Sequence, residues 1–247
     1  MEIVRDIKGR SLAAGRIEPR RAAESAAEVV HRKLRQEILS LVRPPGVTIS
    51  EKDIAAAHGV SRTPVREALL RLSEERLVDI TAKSGTSVAR IPIVTLADSL
   101  CAREALETML IGKAALRARP SDITAMRAIV QRQHECVDAH DAGGFHDNDE
   151  ALHFAIAEAA GHPGVWAMVQ QIKIQLDRLR RLTLPNFDWL RRVIHEHEAL
   201  VEAIASGAPD RAAAAMQSHF HSLKGVLDEV HTMNPDFFIG EVDDFVL

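Results

Sequence analysis

The chain has no tyrosine, two cysteines and only 4% aromatic residues among its 247. With so few aromatics, and with Ala, Leu, Ile, Val, Glu and Arg dominant, the composition favours helix over sheet, and a mainly α fold is expected. No apolar run approaches the ~20 residues that a bilayer-crossing helix needs, so no membrane partner is expected. The first residues carry Arg5, Lys8, Arg10 and Arg16 but no apolar stretch resembling a signal peptide, which makes the expected location cytoplasmic. Cys101 and Cys136 have neither C-x-x-C spacing nor the density of a disulfide framework, so no pairing is expected. What is present is ample apolar material: 46% hydrophobic residues suffice for two ordinary domains or one large one.

The net charge of −4 hides an asymmetry. Up to Ile93 the chain carries 17 Lys and Arg against 12 Asp and Glu, and beyond it 14 against 23. A basic front on an acidic body suits a chain whose front meets a polyanion.

Residues 1–22 lack periodicity and read as a flexible arm, either a plain disordered tail or one that brushes a phosphate backbone. A first helix follows, with Val29, Val30, Leu34, Ile38 and Leu41 at helical spacing, stopped by Arg43-Pro44-Pro45-Gly46. Ser50 caps a short helix over 51–58 that Gly59 ends, and Ser61 caps the next, with Pro64 in its first turn. Helix, glycine turn and helix make a helix-turn-helix. The β-prone stretches 77–80 and 86–89 around Lys83-Ser84-Gly85 form a hairpin, the wing. The winged domain thus spans 23–91, with a linker at 92–94. Six helical segments, near 95–118, 121–140, 144–160, 163–182, 186–206 and 209–231, predict an antiparallel all-α bundle over 95–231, leaving an acidic tail at 232–247 that packs loosely or against a partner subunit.

Two constellations carry chemistry. Arg62 and Arg66 lie four apart at the exposed start of the third helix with Thr63 between them, so both guanidiniums project from one face. Such a pair either clamps phosphate and reads guanine, or is a solvated charged face with Glu67; the turn, cap and wing around it favour the first. In the bundle, Asp149 and His153 also lie four apart. Helical phase turns His197 inward with Ile194, Leu200, Val201 and Ile204, and His219 inward with Met216 and Phe220. One Asp and three His suit Zn, Ni, Mn or Fe, whereas a lone inward histidine is an ordinary hydrogen-bonded core residue. Arg103 and Glu107, four apart on an apolar face, are a structural ion pair or a fork held ready for a ligand carboxylate.

The run Ile54-Ala55, then Gly59-Val60-Ser61-Arg62-Thr63-Pro64-Val65-Arg66-Glu67-Ala68-Leu69, Leu72 and Leu77-Val78 resembles the winged helix-turn-helix of GntR-type bacterial transcription regulators over about 65 residues. The resemblance implies base or phosphate contacts by Arg62 and Arg66, phosphate contacts by Ser61 and Thr63, backbone clamps by Arg35 and Arg43, and a wing tip at Gly85 entering the minor groove. Ser50 is counted with this DNA-contacting set. Arg76 stands where that family usually has Gly, and Lys83-Ser84-Gly85 replaces its more frequent paired basic residues and Gly. Arg103-x-x-Leu106-Glu107, Asp149-x3-His153, Glu196-His197 and His219 resemble the FCD effector-binding domain of the FadR subfamily, in its shorter VanR-type branch. That likeness implies a metal on Asp149, His153, His197 and His219, and a small carboxylate effector held by the metal with Arg103 and Glu107. The expected function is a homodimeric regulator, a repressor by family resemblance, on a palindromic double-stranded operator. A metal-dependent enzyme acting on an organic acid is the alternative, and a structural or signalling metal a third reading.

Overall fold

The structure, a computed structural model, describes residues 24–82, 85–184, 186–222 and 224–240. The expected arm at 1–22, the wing residues Lys83 and Ser84, and the tail beyond 240 lie outside these. Helix α1 (Ala26–Leu39) begins with a capping box: the Ser25 hydroxyl accepts from the Glu28 amide and the Glu28 carboxylate accepts from the Ser25 amide. Its buried stripe of Val30, Leu34 and Ile38 packs on α3 (Arg62–Glu74), which β1 (Thr48–Ile49) and α2 (Glu51–His58) precede. Ser50 caps α2 as expected, and Gly59 ends it in the left-handed conformation at φ +64. Ser61 holds the N-cap backbone of α3 but makes no capping bond there, which leaves its hydroxyl at the surface.

The wing pairs β2 (Val78–Thr81) with β3 (Gly85–Val88), Thr81 opposite Gly85, and β1 adds a third strand on the far side of β3. The Pro-Pro-Gly turn brings this strand in, since Gly46 at φ +82 donates its amide to the Val88 carbonyl. Arg76, just past the end of α3, takes φ +57, a left-handed backbone that favours glycine. Arg76→Gly is therefore expected to stabilise the protein by about 0.5–1 kcal/mol. A urea midpoint that stays put or falls would show that the arginine side chain offsets its own strain.

The expected linker is structured: Ile91–Pro92 forms β4, which pairs in parallel with β5 (Phe238–Ile239). Arg90 also donates to the Asp236 carbonyl, and Phe238 is buried in the bundle core, so this part of the tail is not loose. Pro92 ends the extended stretch and α4 (Ile93–Arg117) starts directly. There follow α5 (Pro120–Asp138), α6 (Ala142–Ala159), α7 (Pro163–Ile172), α8 (Ile174–Thr183), α9 (Phe187–Ala205), α10 (Pro209–Ser222) and α11 (Lys224–Met233). The six apolar stretches are recognisable, but the fourth and sixth each divide in two. Lys173 breaks the fourth: its backbone reaches ψ 2, and its buried ammonium sits between Glu150 (2.9 Å) and Asp177 (2.5 Å). A lysine is a good helix former, so periodicity carries no warning of that break. The fold is mainly α with one small sheet in the winged part, and α4 packs against α6, α9 and α10 at the centre of the bundle. Both cysteines are free.

Candidate metal centre and DNA-binding face

Three helices bring four side chains together inside the bundle. Asp149 and His153 are one turn apart on α6, His197 is on α9 and His219 on α10; their exposures are 0%, 2%, 0% and 1%. Ring centroids of the three histidines lie 5.0 to 5.7 Å apart, and one nitrogen of each falls within 4.8 Å of the others. His153 stacks on Trp166 of α7, which fixes its ring plane.

Each inward group is oriented from behind. His197 Nδ1 meets Gln133 Oε1 of α5 at 2.8 Å, and His219 Nδ1 meets Glu196 Oε2 of α9 at 2.7 Å. These acceptors set the tautomer, with Nδ1–H donating outward and the Nε2 lone pair aimed inward. His153 Nδ1 lies 2.5 Å from Glu107 Oε2. Asp149 Oδ2 accepts from Arg180 Nη1 of α8. What remains, buried and without hydrogen-bond partners among the described residues, is His153 Nε2, His197 Nε2, His219 Nε2 and Asp149 Oδ1. Orphan polar atoms in an interior are costly to keep unless something binds them. Three imidazole nitrogens and one carboxylate oxygen, each backed by a second partner, are a donor set that a divalent metal fits. A second group among the described residues, His146, Glu150 and Asp177, already contains a cation, the Lys173 ammonium.

Arg103 and Glu107 of α4 border this centre. Arg103 Nε donates to Glu107 Oε1 at 2.7 Å, its guanidinium lies over the Phe220 ring, and its Nη2 is buried without a hydrogen-bond partner among the described residues. Glu107 therefore serves Arg103 and His153 at once. Although burial opposes it, the adjacent Arg103 and His153 hold the Glu107 carboxyl well below the usual range. Burial likewise opposes ionisation of Asp149, and Arg180 with His153 and His197 outweighs it.

The histidines shift the other way. Burial first, then His153 and Arg180, pushes His219 down to about 3, and burial holds His197 well below its ordinary value. Unfolded chains take up these protons near 6.5 while the folded protein does not, so acidification through the interval from 6.5 towards 3 favours unfolding. Chelator-treated protein is expected to lose about 2 kcal/mol of stability from His219 alone between pH 7.5 and pH 5. Denaturant titrations giving a flat profile over that range would contradict this.

On the winged part, Ser61, Arg62, Thr63 and Arg66 are all exposed at the start of α3, and Ser50 at the N-cap of α2 and Gly85 on the wing are exposed too. Arg62 and Arg66 both contact Glu51 of α2. Arg35 and Arg43 are half-buried and engaged with Glu75 (2.6 Å) and Glu37 (2.5 Å). Between the two ends lies α8. Arg180 grips Asp149, Arg178 donates to the Ala89 carbonyl (2.5 Å), Gln175 donates to the Arg76 carbonyl (3.1 Å), and Ile174 packs on the core of the winged domain.

Periodicity does not reveal Gln133, Arg180 or Glu51 as partners. Gln133 alone left a trace, a polar residue in phase with Met126, Val130 and Val137 on the buried side of α5.

A winged helix-turn-helix is thus joined to a helical bundle with a buried His-rich centre. Residues 26–88 match the bacterial regulatory proteins of the gntR family, and residues 98–222 match the FCD domain. The chain belongs to the GntR family of bacterial regulators, in the group that carries an FCD domain. A Streptomyces ambofaciens protein named as an uncharacterized HTH-type transcriptional regulator in an unstable DNA locus is 32% identical over 210 residues, 85% of this chain and 88% of its own. The HTH-type transcriptional repressor RspR of Escherichia coli K12 is 24% identical over 212 residues, 86% of this chain and 93% of its own. The solved E. coli McbR/YncC shares the fold, with TM-score 0.68 at 19% identity over 83% of this chain and 98% of its own. The chain is a DNA-binding transcription regulator, and the family and its relatives point away from the enzyme alternative. Among the described residues no helix is long and apolar enough to cross a membrane.

Proposed function

We propose that this regulator is a homodimeric repressor that binds a palindromic operator in the cytoplasm and responds to a small carboxylate held at a divalent metal in the bundle. The observation that carries the sensing half is the set of four orphan donor atoms on Asp149, His153, His197 and His219. A bound Zn, Ni, Mn or Fe would act as a Lewis acid for carboxylate oxygens. Arg103 supplies the countercharge: Glu107 holds its Nε, and the free Nη2 is left to donate to the ligand. The six apolar stretches favour the shorter, VanR-type branch of the FadR subfamily. Repression is supported by RspR, which is named a repressor.

The reading half rests on Arg62, Arg66, Ser61 and Thr63, with Ser50, Arg35, Arg43 and Gly85 as flanking contacts. One winged helix covers one half-site, hence the dimer. Coupling needs a ligand that binds the DNA-competent and incompetent states differently. Helix α8 supports such coupling, since it touches Asp149 on one side and the winged domain on the other. Arg66→Ala is expected to weaken operator binding by about 5- to 150-fold. Fluorescence anisotropy on a duplex from the regulated promoter checks it, and a change under twofold would remove Arg66 from the reading set.

A further inference from the structure

One carboxylate, that of Glu51, receives both arginines at the head of α3, and the two bonds are not alike. Arg62 approaches side-on, giving Nε (3.2 Å) and Nη2 (2.7 Å) to Oε2. Arg66 gives Nε alone, at 3.1 Å to Oε1 and 2.9 Å to Oε2. Their side chains are 60% and 61% exposed while Glu51 is 23% exposed, so the carboxylate lies beneath and the guanidiniums lie over it. Glu51 is itself well placed to stay anionic. It opens α2 in the turn that Ser50 caps, where the helix dipole favours negative charge. Arg62's hydrogen bond, against partial burial and joined by Arg66, holds its carboxyl below the usual range.

Because Arg66 spends only Nε, its two terminal nitrogens make no hydrogen bond among the described residues and leave an unspent fork. That fork matches the O6 and N7 pair on the major-groove edge of guanine. Arg62, held through Nε and one N–H of Nη2, keeps the other Nη2–H and both N–H groups of Nη1, so its end-on fork is also unspent. Without Glu51, two like charges one helical turn apart would repel, and each long side chain would have to be ordered by the DNA alone. A fixed carboxylate beside the backbone also repels phosphate, which penalises every sequence that offers the arginines nothing but phosphate.

We propose that Glu51 is a specificity-determining positioning residue that holds Arg62 and Arg66 together with their terminal N–H groups unspent for guanine edges, and lowers affinity for unrelated DNA. The inference rests on the assignment of Arg62 and Arg66 to the DNA-reading face. The test uses the full chain and its Glu51→Gln, Arg66→Ala and Arg62→Ala variants, each selected against a duplex library with a random 24-bp core, followed by affinity for the selected duplex and for a scrambled one across a salt series. Circular dichroism melts confirm that Glu51→Gln, nearly isosteric, is folded. For Glu51→Gln the expected result is loss of an invariant guanine from the motif. The ratio of selected to scrambled affinity should fall by about tenfold or more, and the salt slope on scrambled DNA should steepen by about one. Arg66→Ala and Arg62→Ala should each lose a guanine from the motif. If Glu51→Gln recovers the same motif with an unchanged ratio while Arg66→Ala loses it, Glu51 has no such role and the reading face stands. If neither arginine variant changes motif or affinity, the reading face itself fails and the inference falls with it.

Discussion

Zinc supplied at about a thousandfold excess over its dissociation constant is expected to stabilise the folded protein by about 4 kcal/mol, while the His197→Ala, His219→Ala double variant gains nothing. For chains of this size about 2–4 °C accompanies each kcal/mol, so the unfolding midpoint should rise by about 8–16 °C. The reasoning is geometric. Two of the four inward donors come from α9 and α10, and both are backed by acceptors that fix their lone pairs inward. Removing them leaves Asp149 and His153, one turn apart on a single helix, and Asp149 is already shared with Arg180. Two donors from one helix lack the count that a closed site needs. Thermal melts with and without metal, together with elemental analysis of purified protein, decide the matter. Equal metal stoichiometry in the double variant would refute the site, and metal bound by wild type alone but with no shift in its midpoint would show metal held without linkage to folding.

Glu107→Ala carries the second large effect. The carboxylate is buried between a buried guanidinium and a buried imidazole, and truncating it strands Arg103 without a counterion. Breaking a buried pair from one side destabilises by about 3–5 kcal/mol. Because Glu107 also stands behind His153, metal affinity should drop by about 10- to 100-fold. The two losses separate in a further variant, Arg103→Met with Glu107→Leu, which removes both charges in place of one. Its stability should return to within about 1.5 kcal/mol of wild type, since apolar replacement of a buried pair is close to neutral, while metal affinity stays low. Urea titrations and competitive chelator titrations read the two quantities. Full metal affinity in Glu107→Ala would show that His153 needs no support from α4.

Helical phase is the part of this site that a linear sequence exposes. A period of 3.6 places His197 among Ile194, Leu200, Val201 and Ile204, and all five are buried. The same spacing rule pairs Asp149 with His153 and Arg103 with Glu107, because both members of each pair share a helix. The cap at Ser50 and the turn at Gly59 are equally local, which is why the helix-turn-helix could be laid out from residue types alone. Contacts across the sequence are another matter. Gln133 and His197 are 64 residues apart, Arg180 and Asp149 are 31 apart, and no periodicity links them. The break at Lys173 arises from an ammonium drawn to carboxylates on two helices, an event set by packing. The pairing of Ile91–Pro92 with Phe238–Ile239 belongs to the same kind, as two-residue strands leave no pattern to read.

That strand pair has a bearing on the order in which the protein is made. Arg90 and Asp236, which flank it, are 146 positions apart. At ~5–20 residues per second, a ribosome takes roughly 7–30 s to cover that distance. The buried cluster of the winged domain draws on Val30 through Val88, with Ile174 of α8 against its edge, and is available long before Phe238 emerges. For those seconds the winged domain has only α8 of the bundle to hold it, through Gln175 and Arg178, and the strand pair is among the last of the described parts to close.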